Sequence, residues 1–231
     1  MRSLIITILL ALLTAPAMAQ PKLVIANSDF DFGSVPQNST AVNYYWFKSI
    51  GTDTARITQI KTGCDCVTMP LPRSTMPPGD SMLVGFFWET QHKIGQTGRY
   101  PYIFVEGMPD PVRMALKANV MDFPDSARPL SIMPFRVELS QIQGTSIDSV
   151  VLKFSNFGSG PVTLNMVSTV PKEFSYALPD TLRAGETRQG IVRILPGMKD
   201  KEFKSSMTIE WKSADGQSGR FTVPVRRKLF G

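Results

Sequence analysis

The densest chemistry in this chain sits at Cys64-Asp65-Cys66, which holds both of its cysteines. They follow Ile57-Thr58-Gln59-Ile60-Lys61-Thr62-Gly63, a β-prone run that leads into a turn. On extended backbone both sulfurs would point to one face. The Cα atoms would then lie roughly 6.5 Å apart, near the upper limit for a disulfide, and a turn at Asp65 would shorten that span. Four chemistries fit the pair. It can be two reduced, packed cysteines at the rim of a domain, or a Cys64–Cys66 disulfide. It can also be a soft-metal site for Cu(I), with Met69 as third ligand, or a redox-exchange or intermolecular site. Zinc fits poorly, because it takes four ligands and no further Cys or His lies near in sequence. Asp65 raises the pKa of neighbouring thiols, which disfavours a reactive thiolate. The aligned place in the second half of the chain falls near Val170-Pro171-Lys172 and has no cysteine. The pair therefore serves something local to the first half.

Little else in the sequence is suited to catalysis. His92 is the one histidine, and it lies in the polar stretch Thr90-Gln91-His92-Lys93-Ile94-Gly95 with no nucleophile motif beside it. Asp29-Phe30-Asp31 places two acids on one strand face but without converging partners. There is no glycine-rich phosphate loop and no nucleophile elbow. These absences exclude the common hydrolase and nucleotide-binding patterns, and the expectation is a protein that is not an enzyme. The net charge of +6 is scattered, apart from Arg226-Arg227-Lys228. That cluster is a candidate contact for an anionic surface, but no nucleic-acid motif accompanies it.

The elements that must position these residues read as strands. Val42 to Lys48, Ser81 to Glu89, Tyr100 to Glu106 and Val112 to Met121 are β-prone and bounded by Gly, Pro, Asp and Ser, and no segment carries a sustained helical period. The first residues read differently. Arg2 precedes an apolar run from Leu4 to Leu13, Pro16 breaks it, and Ala17-Met18-Ala19 offers the small residues that signal peptidase needs. Residues 1–19 are expected to be a cleaved signal peptide, too short to span a bilayer. No cysteine follows the cut, so the expected product is an unlipidated periplasmic protein with no transmembrane segment of its own.

The second half repeats the first at an offset of about 105 residues, the size of one sandwich domain. Phe47-Lys48-Ser49-Ile50-Gly51 matches Phe154-Ser155-Asn156-Phe157-Gly158, and Pro77-Pro78-Gly79-Asp80 matches Arg183-Ala184-Gly185-Glu186. Gly51, Gly158, Gly79 and Gly185 stand where turns favour positive φ. The expected fold class is all-β, with two tandem immunoglobulin-like β-sandwiches after the signal peptide. They would span residues 20–122 and 130–231, with a proline-containing linker at 123–129.

Four motifs carry a resemblance: Phe30-Asp31-Phe32-Gly33, Phe47-Lys48-Ser49-Ile50-Gly51, Cys64-Asp65-Cys66 and Pro78-Gly79. By these the chain resembles the bacterial ASH-like immunoglobulin domains of unknown function, relatives in fold of the MSP and PapD-like sandwiches. Ser49 stands where that family carries Asn, and Asp65 where it carries Gly in a Cys-Gly-Cys segment. The resemblance covers about residues 22–121 well and 126–229 only through a few matches. It implies envelope or adhesion-type binding and no catalysis.

The reading that results is a non-catalytic, protein-binding scaffold or accessory subunit of a cell-envelope or outer-membrane assembly, with envelope proteins as partners. The candidate interaction residues are Tyr45, Trp46, Trp88, Arg226, Arg227 and Lys228, since strands with aromatics on both faces must show some of them to solvent or a partner. Two alternatives stand beside it. One is a copper-binding or thiol-redox protein centred on Cys64 and Cys66. The other is a carbohydrate-binding module using Tyr45 or Trp88.

Overall fold

Alternating apolar and polar residues, broken by Gly and Pro, build strands wherever one face can be buried. The computed structural model describes residues 19–91, 94–122 and 129–230. The expected signal peptide up to Met18, His92 and residues 123–128 of the expected linker lie outside the described residues.

Eleven strands fall in the first half. They are β1 (Leu23–Ile25), β2 (Asp29–Pro36), β3 (Thr40–Ser49), β4 (Ala55–Lys61), β5 (Val67–Thr68), β6 (Thr75–Met76), β7 (Ser81–Glu89), β8 (Gly95–Arg99), β9 (Tyr102–Val105), β10 (Val112–Arg113) and β11 (Ala115–Met121). The second half contributes β12 (Leu130–Met133), β13 (Val137–Glu138), β14 (Gln141–Ile142), β15 (Thr145–Ser146), β16 (Ser149–Asn156), β17 (Val162–Met166), β18 (Phe174–Ala177), β19 (Thr181–Leu182), β20 (Thr187–Ile194), β21 (Phe203–Ser213), β22 (Ser218–Arg227) and β23 (Leu229–Phe230). The architecture is all-β and sandwich-like, as the alternation requires.

In the first half the sheet β1-β3-β7-β5 faces strands of β10-β9-β4-β6 and of a longer sheet across an apolar core. Phe32, Tyr45, Phe47, Phe86 and Trp88 fill it, all below 2 % exposed. A second core gathers Phe154, Phe174, Ile209, Phe221 and Val223 between β12-β16-β20-β18 and that same longer sheet.

The longer sheet runs β19-β17-β21-β22-β2-β11-β8 and so passes through both halves of the chain. Its seam is the parallel approach of β2 to β22, at Ser34 opposite Phe221. Gly33 makes the approach feasible. Its φ is +63°, and a Cβ there would stand 2.1 Å from the Arg220 carbonyl oxygen. Glycine inside a strand pattern marks such close backbone contact.

The seam is polar as well as apolar. Thr222 Oγ1 donates to the Phe32 carbonyl at 2.6 Å. The Val42 N–H donates to Ser206 Oγ at 2.8 Å, and that hydroxyl donates back to the Val42 carbonyl at 2.7 Å. Thr169 Oγ1 donates to the Tyr44 carbonyl at 2.7 Å, and its N–H to Asn43 Oδ1 at 2.9 Å. The Ser206 and Thr169 hydroxyls occupy backbone groups of β3 that β1 does not reach, closing part of an open edge. Apolar contacts cross over too: Met121 packs into the second core and Val167 against the first. The halves are thus held by a buried seam and not only by the connecting segment.

Corresponding turns in the two halves make the same hydrogen bonds. The Gly79 N–H donates to the Ser49 carbonyl, and the Gly185 N–H to the Asn156 carbonyl, both at 2.9 Å. Gly79 and Gly185 have φ of +79° and +71°. Gly51 and Gly158 do not adopt positive φ, contrary to the expectation from their turn context. At Gly51 the reason for glycine is space, because a Cβ would sit 2.3 Å from the Gln20 carbonyl oxygen.

The substitution of Ser49 for Asn has a visible consequence. Asn156, at the matching position, is buried. Its Nδ2 donates to the carbonyls of Gly160, Leu182 and Arg183 at 2.8–3.2 Å, and its Oδ1 accepts from the Gly158 N–H at 2.9 Å. Ser49 is equally buried and too short for this, and its Oγ has no partner among the described residues.

Candidate functional site

Strand β4 ends at Lys61, and the chain turns through Gly63, whose φ of +82° leaves open space around it. Thr62 Oγ1 donates to the Cys64 carbonyl at 3.1 Å, and the Val67 N–H donates to the same oxygen at 3.3 Å. This turn draws the Cys64 and Cys66 Cα atoms to 5.2 Å, and the two sulfurs are joined in a disulfide. The span is shorter than extended backbone would give because Asp65 and Cys66 adopt turn conformation. The Glu89 N–H then anchors the Cys66 carbonyl at 2.8 Å, and β5 pairs with β7 so that Val67 lies opposite Trp88.

The two sulfur-bearing residues differ in exposure. Cys66 is 7 % exposed and belongs to the core, while Cys64 is only part-buried at its margin. Arg99, from the end of β8, reaches across and places Nε 3.2 Å from Cys66 Sγ. Its guanidinium stacks on the Trp88 ring at 4.9 Å, a cation–π contact. Nη1 donates to the Gly98 carbonyl at 2.7 Å and to Thr97 Oγ1 at 3.2 Å. Burial lowers the Arg99 pKa from its ordinary value. Among the described residues no carboxylate pairs with it. The Trp88 indole N–H is buried beside it and has no hydrogen-bond partner among the described residues.

Arg99 was not a candidate from sequence. It lies 33 positions from Cys66, and only the pairing of β8 with β11 brings it to the turn. For the copper reading, the geometry gives no thiolate in this state, since each sulfur is bonded to the other. Met69 packs in the core at 8 % exposed.

The aromatic residues separate by strand phase. On β3 odd-numbered residues face the core, so Tyr45 is 1 % exposed, whereas Trp46 faces outward at 46 %. Trp88 is also 1 % exposed. Tyr45 and Trp88 are therefore corrected from interaction candidates to core residues. A period of two puts neighbours on opposite faces, and the first core needs the bulk of both. With their rings buried, neither offers a platform for a sugar. Trp46 stands beside part-exposed Leu83, its cross-strand partner. Tyr44, further along the same face, donates from its hydroxyl to Glu173 of the second half at 3.0 Å. Burial, and then the Glu173 charge, raise the Tyr44 pKa.

The basic cluster splits in the same way. Arg227 is 1 % exposed and donates to the carbonyls of Leu139 and Lys199, so it is corrected from a surface cation to a buried brace. Arg226 is exposed and paired with Glu138 at 2.6 Å. Lys228 is exposed and lies 6.0 Å from the centre of the Phe230 ring.

A cleft of about 600 Å³ opens over the seam, lined by Asp31, Gly98, Tyr100, Lys117, Asn119 and Arg220 among others. Two aromatic residues border it, Tyr100 exposed at 42 % and Trp211 buried. Tyr100 lies over Gly98, with the Arg113 guanidinium at 4.8 Å from the ring, and Trp211 is 8 % exposed.

Fold and site together define an all-β, immunoglobulin-like sandwich protein carrying a two-residue-spaced disulfide. Residues 23–120, the part of the chain that contains this disulfide, match the sequence profile of a family described as "Protein of unknown function (DUF1573)". No curated protein matches the sequence. Similar solved structures include a protein of unknown function from Porphyromonas gingivalis W83. It is 10 % identical, with 90 % of this chain and 99 % of that chain covered and a TM-score of 0.35. An ASH/PapD-like domain of human CEP192 is 10 % identical, with 47 % and 94 % covered and a TM-score of 0.39. The secreted serine protease VesC from Vibrio cholerae is 11 % identical, with 93 % and 52 % covered and a TM-score of 0.36.

Proposed function

We propose that this chain is a non-catalytic, protein-binding module built from two tandem immunoglobulin-like sandwiches, exported to the periplasm and serving as a scaffold or accessory subunit of a cell-envelope assembly. The observation that carries the reading is Trp46. It is a large aromatic held nearly half exposed on a rigid sheet face, next to Leu83 and with charged Lys48 beyond it. Aromatic anchors of this kind, surrounded by a polar rim, are enriched where proteins bind one another. The buried seam supports the same use, since it holds both halves in one orientation and lets a partner meet a preformed surface. The export signal read in residues 1–19 supports the location.

The test is capture of partners by the tagged full chain from gently solubilised envelopes, beside a Trp46→Ser variant. Stoichiometric recovery of one envelope complex with the native chain, lost with Trp46→Ser while the fold is retained, is the expected result. Recovery of the chain alone would remove the scaffold reading, and a complex indifferent to Trp46 would remove Trp46 as its anchor.

A further inference from the structure

We infer that the Cys64–Cys66 disulfide is a thiol–disulfide exchange site, in which Cys64 is the sulfur attacked and Cys66 the sulfur released, with Arg99 holding the leaving group. This goes beyond the binding function and does not depend on Trp46. Three observations carry it. The two cysteines differ in access: Cys64 is part-exposed at the margin of the core and Cys66 is buried within it. The Arg99 Nε–H points at the Cys66 sulfur from 3.2 Å. Finally, Arg99 is a part-buried cation whose other contacts are the Trp88 ring, a hydroxyl and a carbonyl, with no carboxylate counter-ion among the described residues. A cation within hydrogen-bond reach favours the charged form of the group beside it, and the anion that appears when the disulfide opens forms at that place.

The chemistry balances as follows. A thiolate from a partner dithiol, or from a small thiol, attacks Cys64 Sγ along the S–S axis. The new S–S bond forms at Cys64 as the Cys64–Cys66 bond breaks, and the departing electron pair stays on Cys66 beside the Arg99 guanidinium. A second thiol from the partner then displaces Cys64, leaving the partner oxidised to its disulfide and both cysteines reduced, the two protons given up by the dithiol being taken up by Cys64 and Cys66. The reverse sequence re-forms the Cys64–Cys66 bond at the expense of a partner disulfide. Rates and equilibria of such exchange depend on which sulfur is attacked and on how well the leaving thiolate is stabilised. Arg99 is a catalytic residue for this step, since its Nε–H touches the leaving sulfur and stabilises the charge that develops there.

The test is equilibration of the oxidised full-length chain with reduced and oxidised glutathione, the cysteine states being read by alkylation and mass spectrometry. The native chain is compared with Arg99→Gln and Arg99→Lys. Loss of a charge-assisted hydrogen bond to the leaving sulfur is expected to make the disulfide harder to reduce by about tenfold in Arg99→Gln. Arg99→Lys, which keeps the charge, should fall between. A merely structural Arg99 would leave the equilibrium within about twofold or make reduction easier, as a loosened oxidised fold would, and either result overturns the proposal. Single-cysteine variants separate the roles. Cys66→Ser should accumulate glutathione on Cys64, while Cys64→Ser should leave Cys66 unmodified in the folded chain. Equal modification of the two cysteines would refute the assignment.

Discussion

Replacing Gly33 by alanine should open the seam between the two halves. A Cβ at this position would lie 2.1 Å from the Arg220 carbonyl oxygen, 2.3 Å from its carbon and 2.5 Å from the Arg220 Cβ. Ordinary contact distances are about 3.5 Å, so β2 and β22 would have to move apart by well over about 1 Å. The two nearest obstacles are backbone atoms and the third is a Cβ fixed to that backbone, so none has a rotamer to escape into. Three costs add. A non-glycine residue at φ +63° costs about 1–2 kcal/mol. Overpacking costs about 1–3 kcal/mol. Separating the strands strands the buried Thr222 hydroxyl from the Phe32 carbonyl, about 1 kcal/mol. A total of about 3–6 kcal/mol follows from these ranges. Gly185→Ala is the internal control, because it has the same sign of φ, at +71°, but open space where its Cβ would go. It should lose only the conformational part, about 1–2 kcal/mol. Urea unfolding of the full chain, followed by tryptophan fluorescence and far-UV circular dichroism, measures both. Trp46 and Trp88 report on the first half and Trp211 on the second, so an opened seam should also separate the two signals. If Gly33→Ala and Gly185→Ala lose stability equally, within about 0.5 kcal/mol, the seam does not depend on Gly33 and the reasoning fails.

Two further predictions test the interior and the charges. Asn156→Ala should destabilise by about 3 kcal/mol, because it strands three carbonyls and one N–H of the turn that it ties together. Thermal unfolding should show a Tm lower by roughly 6–12 °C for a chain of this size, and a shift under about 2 °C would show that these bonds are replaced by solvent. Glu210, on β21, is bonded to Lys212 and Arg220, and these hold its pKa below the ordinary carboxylate value. A carboxylate whose pKa is lower folded than unfolded contributes stability that is present above its unfolded pKa and lost as pH falls through the folded one. Acid titration of stability should therefore lose less below about pH 4.5 in Glu210→Gln than in the native chain. Identical acid limbs would count against the pair.

Much of the fold is legible in the chain itself. The β-prone runs of β3 and β7, bounded by Gly, Pro and Asp, predict strands, and Pro-Gly and Ala-Gly predict the two matching turns that fold back onto Ser49 and Asn156. These are local matters: backbone sterics and a period of two act within a few residues. The same period is silent about phase wherever both faces of a strand are apolar. Tyr45 and Trp46 are equally aromatic, yet one is sealed in the core and the other stands in solvent. Likewise Arg226 and Arg227 read as one basic patch until packing turns Arg227 inward to brace two carbonyls.

What the sequence alone determines, then, is the all-β class, the turn positions and the close spacing that makes a Cys64–Cys66 bond feasible. Each follows from residues near one another in the chain. What only the tertiary structure decides is whatever depends on distant segments meeting. Arg99 reaches Cys66 because β8 is carried beside the turn by β11, and Gly33 matters because Arg220, far along the chain, crosses over it. No local pattern encodes either meeting. They arise because burying two apolar cores against one shared sheet leaves few ways for the strands to lie, and in this arrangement a guanidinium lies against a disulfide sulfur.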